Sequence, residues 1–151
     1  MQTITVKDVL DNTLPESGWE TYRVYIFRDG DFILYVGKTD QNIIDRLEEH
    51  LGLTFRDSSL IGRLVEDNAP LSYSWDIDLM TLDDCVPIVC LHFPTCQLFD
   101  SRISEKALIL EYSPALNRES NPNPRPLPRK YTSKREAHIL QIHRRVFNDK
   151  R

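Results

Sequence analysis

The chain has 151 residues, 40% of them hydrophobic and 9% aromatic, with a formal net charge of −4. That length fits one domain with a short appendage, and the apolar content supplies a real core, which excludes a globally disordered chain. The longest apolar run, "VPIVCLHF", is too short to span a bilayer, and no basic n-region precedes it. Three cysteines make no disulfide framework, so a cytoplasmic protein with no membrane partner is expected.

In chain order, residues 5–12 ("TVKDVLDN") read as a short capped helix and "TLPESGWE" as a loop. Strands at 21–27 and 31–37 follow as a hairpin. "DQNIIDRLEEHLG" is an amphipathic helix with Ile43, Ile44, Leu47 and Leu51 on one stripe. Asp40 can cap its start, and Gly52 can end it in a left-handed conformation. Residues 58–68 read as a second helix despite Gly62, 71–81 as a third strand, and 100–112 as a third main helix ended by Ser113 and Pro114. Between them, Pro87 and Pro94 argue against a long helix over 82–100, where Cys90 and His92 would alternate along a strand. Cys85, Cys90, His92 and Cys96 are zinc-ligand types, yet their spacing matches no common ligand pair.

Three regions result: a domain over 1–117, an extended proline-rich linker over 118–131, and a basic helix over 132–151 opened by the capping-box residues Ser133 and Glu136. The domain reads as α+β, a short antiparallel three-stranded sheet flanked by helices in a small sandwich. Charge divides the same way. Residues 1–117 carry 9 Lys/Arg against 20 Asp/Glu, a balance of −11, and residues 118–151 carry 10 against 3, a balance of +7. A basic tail on an acidic body points to a polyanionic partner, or else to a tail that neutralises its own body.

The hairpin "VYIFRDGDFILYVGKT" raises the question of which face each tyrosine occupies. A two-residue Asp29-Gly30 turn would send Tyr25 and Tyr35 to opposite faces. A three-residue Arg28-Asp29-Gly30 loop pairs Val24 with Leu34 and Ile26 with Phe32. One face then reads Val24, Ile26, Phe32, Leu34, Val36, wholly apolar, and Tyr25 and Tyr35 share the other with their hydroxyls free. The register with one clean core face is preferred, because a slip would bury the wrong set.

"RVY" at 23–25 and "YVG" at 35–37 resemble the two halves of the signature of GIY-YIG nucleases, with Arg23 standing where that family usually has Gly. Arg46 and His50 on the following helix, then Glu105, Pro114 and Asn117 in "EKALILEYSPALN", extend the likeness over residues 22–117. The resemblance implies a divalent-metal-dependent DNA endonuclease. Each residue also has chemistry suited to that task. Glu105 is a hard oxygen ligand for Mg²⁺ or Mn²⁺, and Arg46 a planar fork for a phosphate oxygen. Tyr25 and Tyr35 can hydrogen-bond the attacking water, with Lys38 as a neighbouring cation that tunes them. His50 is a base at neutral pH, and Asn117 an orienting group. Arg129, Lys130, Lys134, Arg135, Arg144 and Arg145 are expected to contact the DNA backbone. A homodimer is expected where one small site must cut both strands. The alternative is a nucleic-acid-binding module that keeps the fold without catalysis, its site blocked by Arg23. A third reading makes the Pro-Arg-Pro-Leu-Pro stretch a protein-interaction ligand.

Overall fold

The structure, a computed structural model, describes residues 1–54 and 59–131. The expected helix at 132–151, with Lys134, Arg135, Arg144 and Arg145, lies outside the described residues. The domain is α+β, but its antiparallel sheet has four strands, not three: β1 (Gln2–Thr5), β2 (Tyr22–Asp29), β3 (Phe32–Lys38) and β4 (Asp76–Thr81), in the order β1-β4-β2-β3. The added strand, β1, pairs Ile4 with Ile77 and Gln2 with Leu79. It is followed directly by α1 (Val6–Leu10), which Thr5 and Asp8 open with a capping box.

Helices cover both faces of the sheet. On one side lie α1, α2 (Ile43–His50) and α3 (Leu60–Asp67), packing Val6, Ile43, Leu47 and Ile61 against Tyr25, Phe27 and Leu34. On the other lie α4 (Leu82–His92) and α5 (Ser101–Tyr112), packing Cys85, Val89 and Leu108 against Val24, Ile26 and Val36. The α2 stripe is as expected and Gly52 ends the helix at φ 76°, but the cap is Asn42, whose side chain accepts from the Ile44 N–H at 2.9 Å. Asp40 instead accepts a hydrogen bond from Ser101 at 3.1 Å, tying the α2 entrance to α5.

Residues 82–92 correct the strand reading. Thr81 and Asp84 form a capping box, and α4 runs through Pro87. The proline sits in the second turn, where its missing N–H leaves one carbonyl without a partner, and burial of Cys85 and Val89 against α5 outweighs that loss. His92 meets Glu111 of α5 at 2.7 Å rather than joining the cysteines, of which Cys85 is buried and Cys90 exposed.

The hairpin register also differs. Asp29 pairs with Phe32 across a two-residue Gly30-Asp31 turn, with Gly30 at φ 56°, the positive value a type II′ turn requires. Tyr25 faces Gly37, and Phe27 faces Tyr35, with a bulge that leaves Leu34 unpaired. Leu34 and Tyr35 therefore turn to the same side, and Ile33 takes the place on the opposite face expected for Leu34. The face-counting argument fails because it assumes one buried face, whereas Val24, Tyr25, Ile26 and Phe27 are all buried. Its conclusion that the two tyrosines share a side survives by way of the bulge.

Residues 118–131 are extended only in part: they turn at 119–120, where Ser120 takes φ 60°, end in a short 3-10 helix (Arg129–Tyr131), and lie against the body. Arg125 N–H donates to Ser113 at 3.1 Å. Tyr131 is 3% exposed, stacked on Phe32 at 5.7 Å, set edge-on to Trp75, and donates its hydroxyl hydrogen to Asp29. Of the expected DNA contacts in this segment, Lys130 lies 3.7 Å from Asp29 with its side chain exposed, and Arg129 is not without an interaction of its own. Truncating a buried aromatic side chain costs about 3–5 kcal/mol. Tyr131→Ala is therefore expected to lower the unfolding free energy by roughly 3 kcal/mol, read as a reduced urea midpoint with the slope unchanged.

Candidate active site

The site assembles where β2 and β3 run side by side under α2. Tyr25 stands opposite Gly37, and its ring fills the space a side chain at 37 would take. A Cβ built on Gly37 would lie 2.3 Å from Tyr25 Cζ, so only glycine fits. The glycine of "YVG" is thus a socket for the tyrosine of "RVY". His50, from the last turn of α2, completes an aromatic cluster with ring centroids 5.4 Å from Tyr25 and 5.6 Å from Tyr35.

His50 is buried, with its Nε2 2.5 Å from the Tyr25 hydroxyl and its Nδ1 2.5 Å from the Ser59 hydroxyl. Ser59 is also the N-cap of α3, accepting from the Gly62 N–H, so the chain Tyr25–His50–Ser59 links sheet, α2 and α3. One tautomer has Tyr25 donating to Nε2 and Nδ1–H donating to Ser59; the other reverses both bonds. Burial lowers the His50 pKa to about 4, helped by the Arg46 charge, so the ring is neutral at physiological pH. His50 therefore sits behind Tyr25, not at the cleft margin expected for a base exposed to substrate.

Burial pushes the Tyr25 phenol well above its ordinary range, and Tyr35 adds to that shift while Arg46 opposes it. Burial also raises Tyr35, reinforced by Glu105 and opposed by Arg46. Both tyrosines are thus protonated hydrogen-bonding groups, and the cation that acts on them is Arg46, not Lys38. Tyr25 is fully buried, which leaves the half-buried Tyr35 as the tyrosine nearer to solvent. Arg46 is half-exposed, with Nη1 2.9 Å from Glu49. Lys38 instead acts on Glu105, whose carboxyl is raised by burial, lowered by Lys38 and raised again by the charge of Glu119. No hydrogen bond contributes to the Glu105 shift.

Asn117 is 8% exposed and hydrogen-bonds the backbone of β3 through both ends of its amide. Its Oδ1 accepts from Val36 N–H at 2.8 Å and its Nδ2 donates to Val36 O at 2.9 Å. With Leu116 N–H donating to Leu34 O at 2.9 Å, residues 116–117 cover the open edge of the sheet along Leu34 and Val36. Asn117 thus orients a neighbouring strand, and its burial keeps its side chain from solvent. Arg23 lies at the Tyr22/Val24 irregularity and donates to Tyr22 O at 3.2 Å.

The structure thus brings Arg46 and Glu105 into electrostatic range of both tyrosines and Arg46 into range of His50, with Lys38 acting on Glu105 and Asn117 on the β3 backbone. Sequence reasoning missed Ser59, read only as part of a helix, and Glu119, which followed the last motif residue; nothing local distinguishes either. Among the described residues no group of three or more His, Cys, Asp or Glu converges in a way that could hold a metal, and no helix is long and apolar enough to cross a membrane. No family model, curated protein or solved structure matches this chain.

Two outcomes follow from this geometry. Gly37→Ala drives a methyl into the Tyr25 ring and is expected to destabilise the domain by about 1–3 kcal/mol, measured by urea unfolding. For His50, the unfolded ring takes a proton near pH 6.5 and the folded ring only near pH 4, so the unfolded state binds more protons between those values. Stability is full above pH 6.5 and falls as pH drops towards 4, by up to about 3 kcal/mol from this group. His50→Gln, compared with wild type in urea titrations at pH 7 and pH 4.5, is expected to lose less stability on acidification.

Proposed function

We propose that the chain is a divalent-metal-dependent endonuclease of the GIY-YIG type that hydrolyses DNA phosphodiester bonds. The observation that carries this reading is the shared neighbourhood of Arg46, Glu105 and the two tyrosines, residues drawn from β2, β3, α2 and α5. Glu105 fits a hard cation: its carboxyl is half-buried, unassisted by hydrogen bonds and crowded by Glu119, a charge balance that a cation relieves. Bound there, Mg²⁺ or Mn²⁺ supplies Lewis-acid stabilisation of the developing phosphoryl charge. Arg46 offers its exposed guanidinium edge to a non-bridging oxygen. Tyr35 hydrogen-bonds the attacking water, and Tyr25, held against His50, fixes the position of the Tyr35 side of the cleft. His50, neutral above about pH 4, holds the Tyr25 hydroxyl in place by a hydrogen bond and takes no proton from it.

The non-catalytic binding module draws support from one observation, the complete burial of Tyr25. The two readings separate in a nicking assay on supercoiled plasmid with Mg²⁺ or Mn²⁺. Wild type is expected to nick, and Glu105→Ala to bind DNA with its rate reduced on the order of 10²-fold or more. Equal cleavage by the variant, or none by wild type under either metal, rejects the nuclease reading.

A further inference from the structure

A second feature of α5 lies beside the proposed site. A cleft of about 480 Å³ opens between the 93–100 loop and α5, walled by Cys96, Leu98, Asp100, Arg102, Ile103 and Lys106. Its size is that of a small-ligand site, more than a single phosphate needs. Leu98 is 71% exposed, a large apolar side chain facing solvent without cover, and the Cys96 thiol donates to the Leu98 carbonyl at 3.1 Å, which holds the wall in place. Arg102 and Lys106 stand four residues apart on one face of the helix. The Asp100 carboxylate is occupied as the α5 N-cap, accepting from Ile103 N–H at 2.9 Å.

Charge on the rest of the body sharpens the meaning of those two cations. Arg28 is locked onto Asp76 and Asp78, Lys7 faces Asp11, and Arg46 faces Glu49. Arg102 and Lys106 make no ion pair among the described residues. Another cleft, of about 200 Å³ between α1 and α2, is walled by Asp8, Glu16, Asp45 and Glu48 and repels a polyanion. On so acidic a body, a phosphate chain is directed to the α5 side.

Building on the nuclease reading, we infer that this cleft holds a nucleotide adjacent to the scissile phosphate on an unpaired strand. Four residues of helix, a rise of about 6 Å, separate Arg102 from Lys106, and Glu105 lies between them. A strand with its reacting phosphate at Glu105 therefore brings a neighbouring phosphate to the two cations. The base lays its face on Leu98 and Ile103. A base inside a duplex shows its faces only to neighbouring base pairs, so an apolar wall of this kind serves a strand that is single or frayed.

The test uses the full chain in EDTA with a fluorescein-labelled single-stranded DNA 12-mer and a blunt duplex of the same sequence. The single strand is expected to bind at least fivefold more tightly. Arg102→Gln/Lys106→Gln is expected to bind it about tenfold more weakly, with the slope of log K against log salt reduced by about 1.4, two phosphates' worth for single strands. Leu98→Ala is expected to lose about fivefold with that slope unchanged, as loss of stacking alone predicts. Equal binding of the two DNA forms, or wild-type affinity in both variants, overturns the assignment. The same variants assayed for nicking keep the two proposals apart. A wild type that binds as described but cuts nothing rejects the nuclease reading, and with it the placement beside a scissile phosphate, while the preference of the cleft for an unpaired strand stands. A wild type that cuts, with the double variant unchanged in KM on a flapped substrate, rejects the strand site alone. Matched thermal unfolding of wild type and variants confirms that each reading comes from a folded chain.

Discussion

The packing of Tyr25 across Gly37 is the contact on which the rest of the site depends. Residue 37 must be glycine because the ring occupies its side-chain space, and the ring must lie there for its hydroxyl to reach His50. His50 in turn anchors Ser59, the cap of α3, so one aromatic placement sets the relation of sheet, α2 and α3. Because β2 is buried on both faces, that placement is held by cores on either side and cannot relax by tilting the strand.

Function follows from a division of labour between buried and exposed groups. Tyr25 and His50 are withdrawn from solvent and kept neutral by burial, so their part is to fix geometry. Tyr35, Arg46, Lys38 and Glu105 remain within reach of the outside, and they carry the groups that meet phosphate, water and a cation in the proposed reaction. Asn117 supports this arrangement from behind, where its amide replaces a missing fifth strand along the Val36 backbone. The proline-rich segment does similar work at the other end of β3, where Tyr131 closes the hairpin turn against Asp29 and Phe32.

Much of the scaffold was legible in advance because its signals are local. The Ile43/Leu47 stripe, the left-handed Gly52 and the helix ended by Ser113 are written in periodicity and turn chemistry, whereas the strand expected over 71–81 begins only at Asp76, Leu71–Ser74 being a 3-10 helix. The failures share one cause. Helix α4 was hidden because a proline in the second turn counts against helix locally, while burial of Cys85 and Val89 decides the matter globally. The Leu34 bulge was hidden because alternation fixes a register only when one face is polar, and here neither is.

The sequence by itself determined the residue types and their order: two tyrosines flanking a turn, an arginine and histidine one helical turn apart, a glutamate on the later helix, and an acidic body with a basic tail. Tertiary structure alone decided which of these touch. It set Arg46 rather than Lys38 against the tyrosines, withdrew His50 behind Tyr25, and turned Asn117 to the sheet edge. The physical reason is that spacing along a chain specifies which way a side chain leaves its own helix or strand, whereas burial, charge and hydrogen-bond partners are set by what other elements bring to that side.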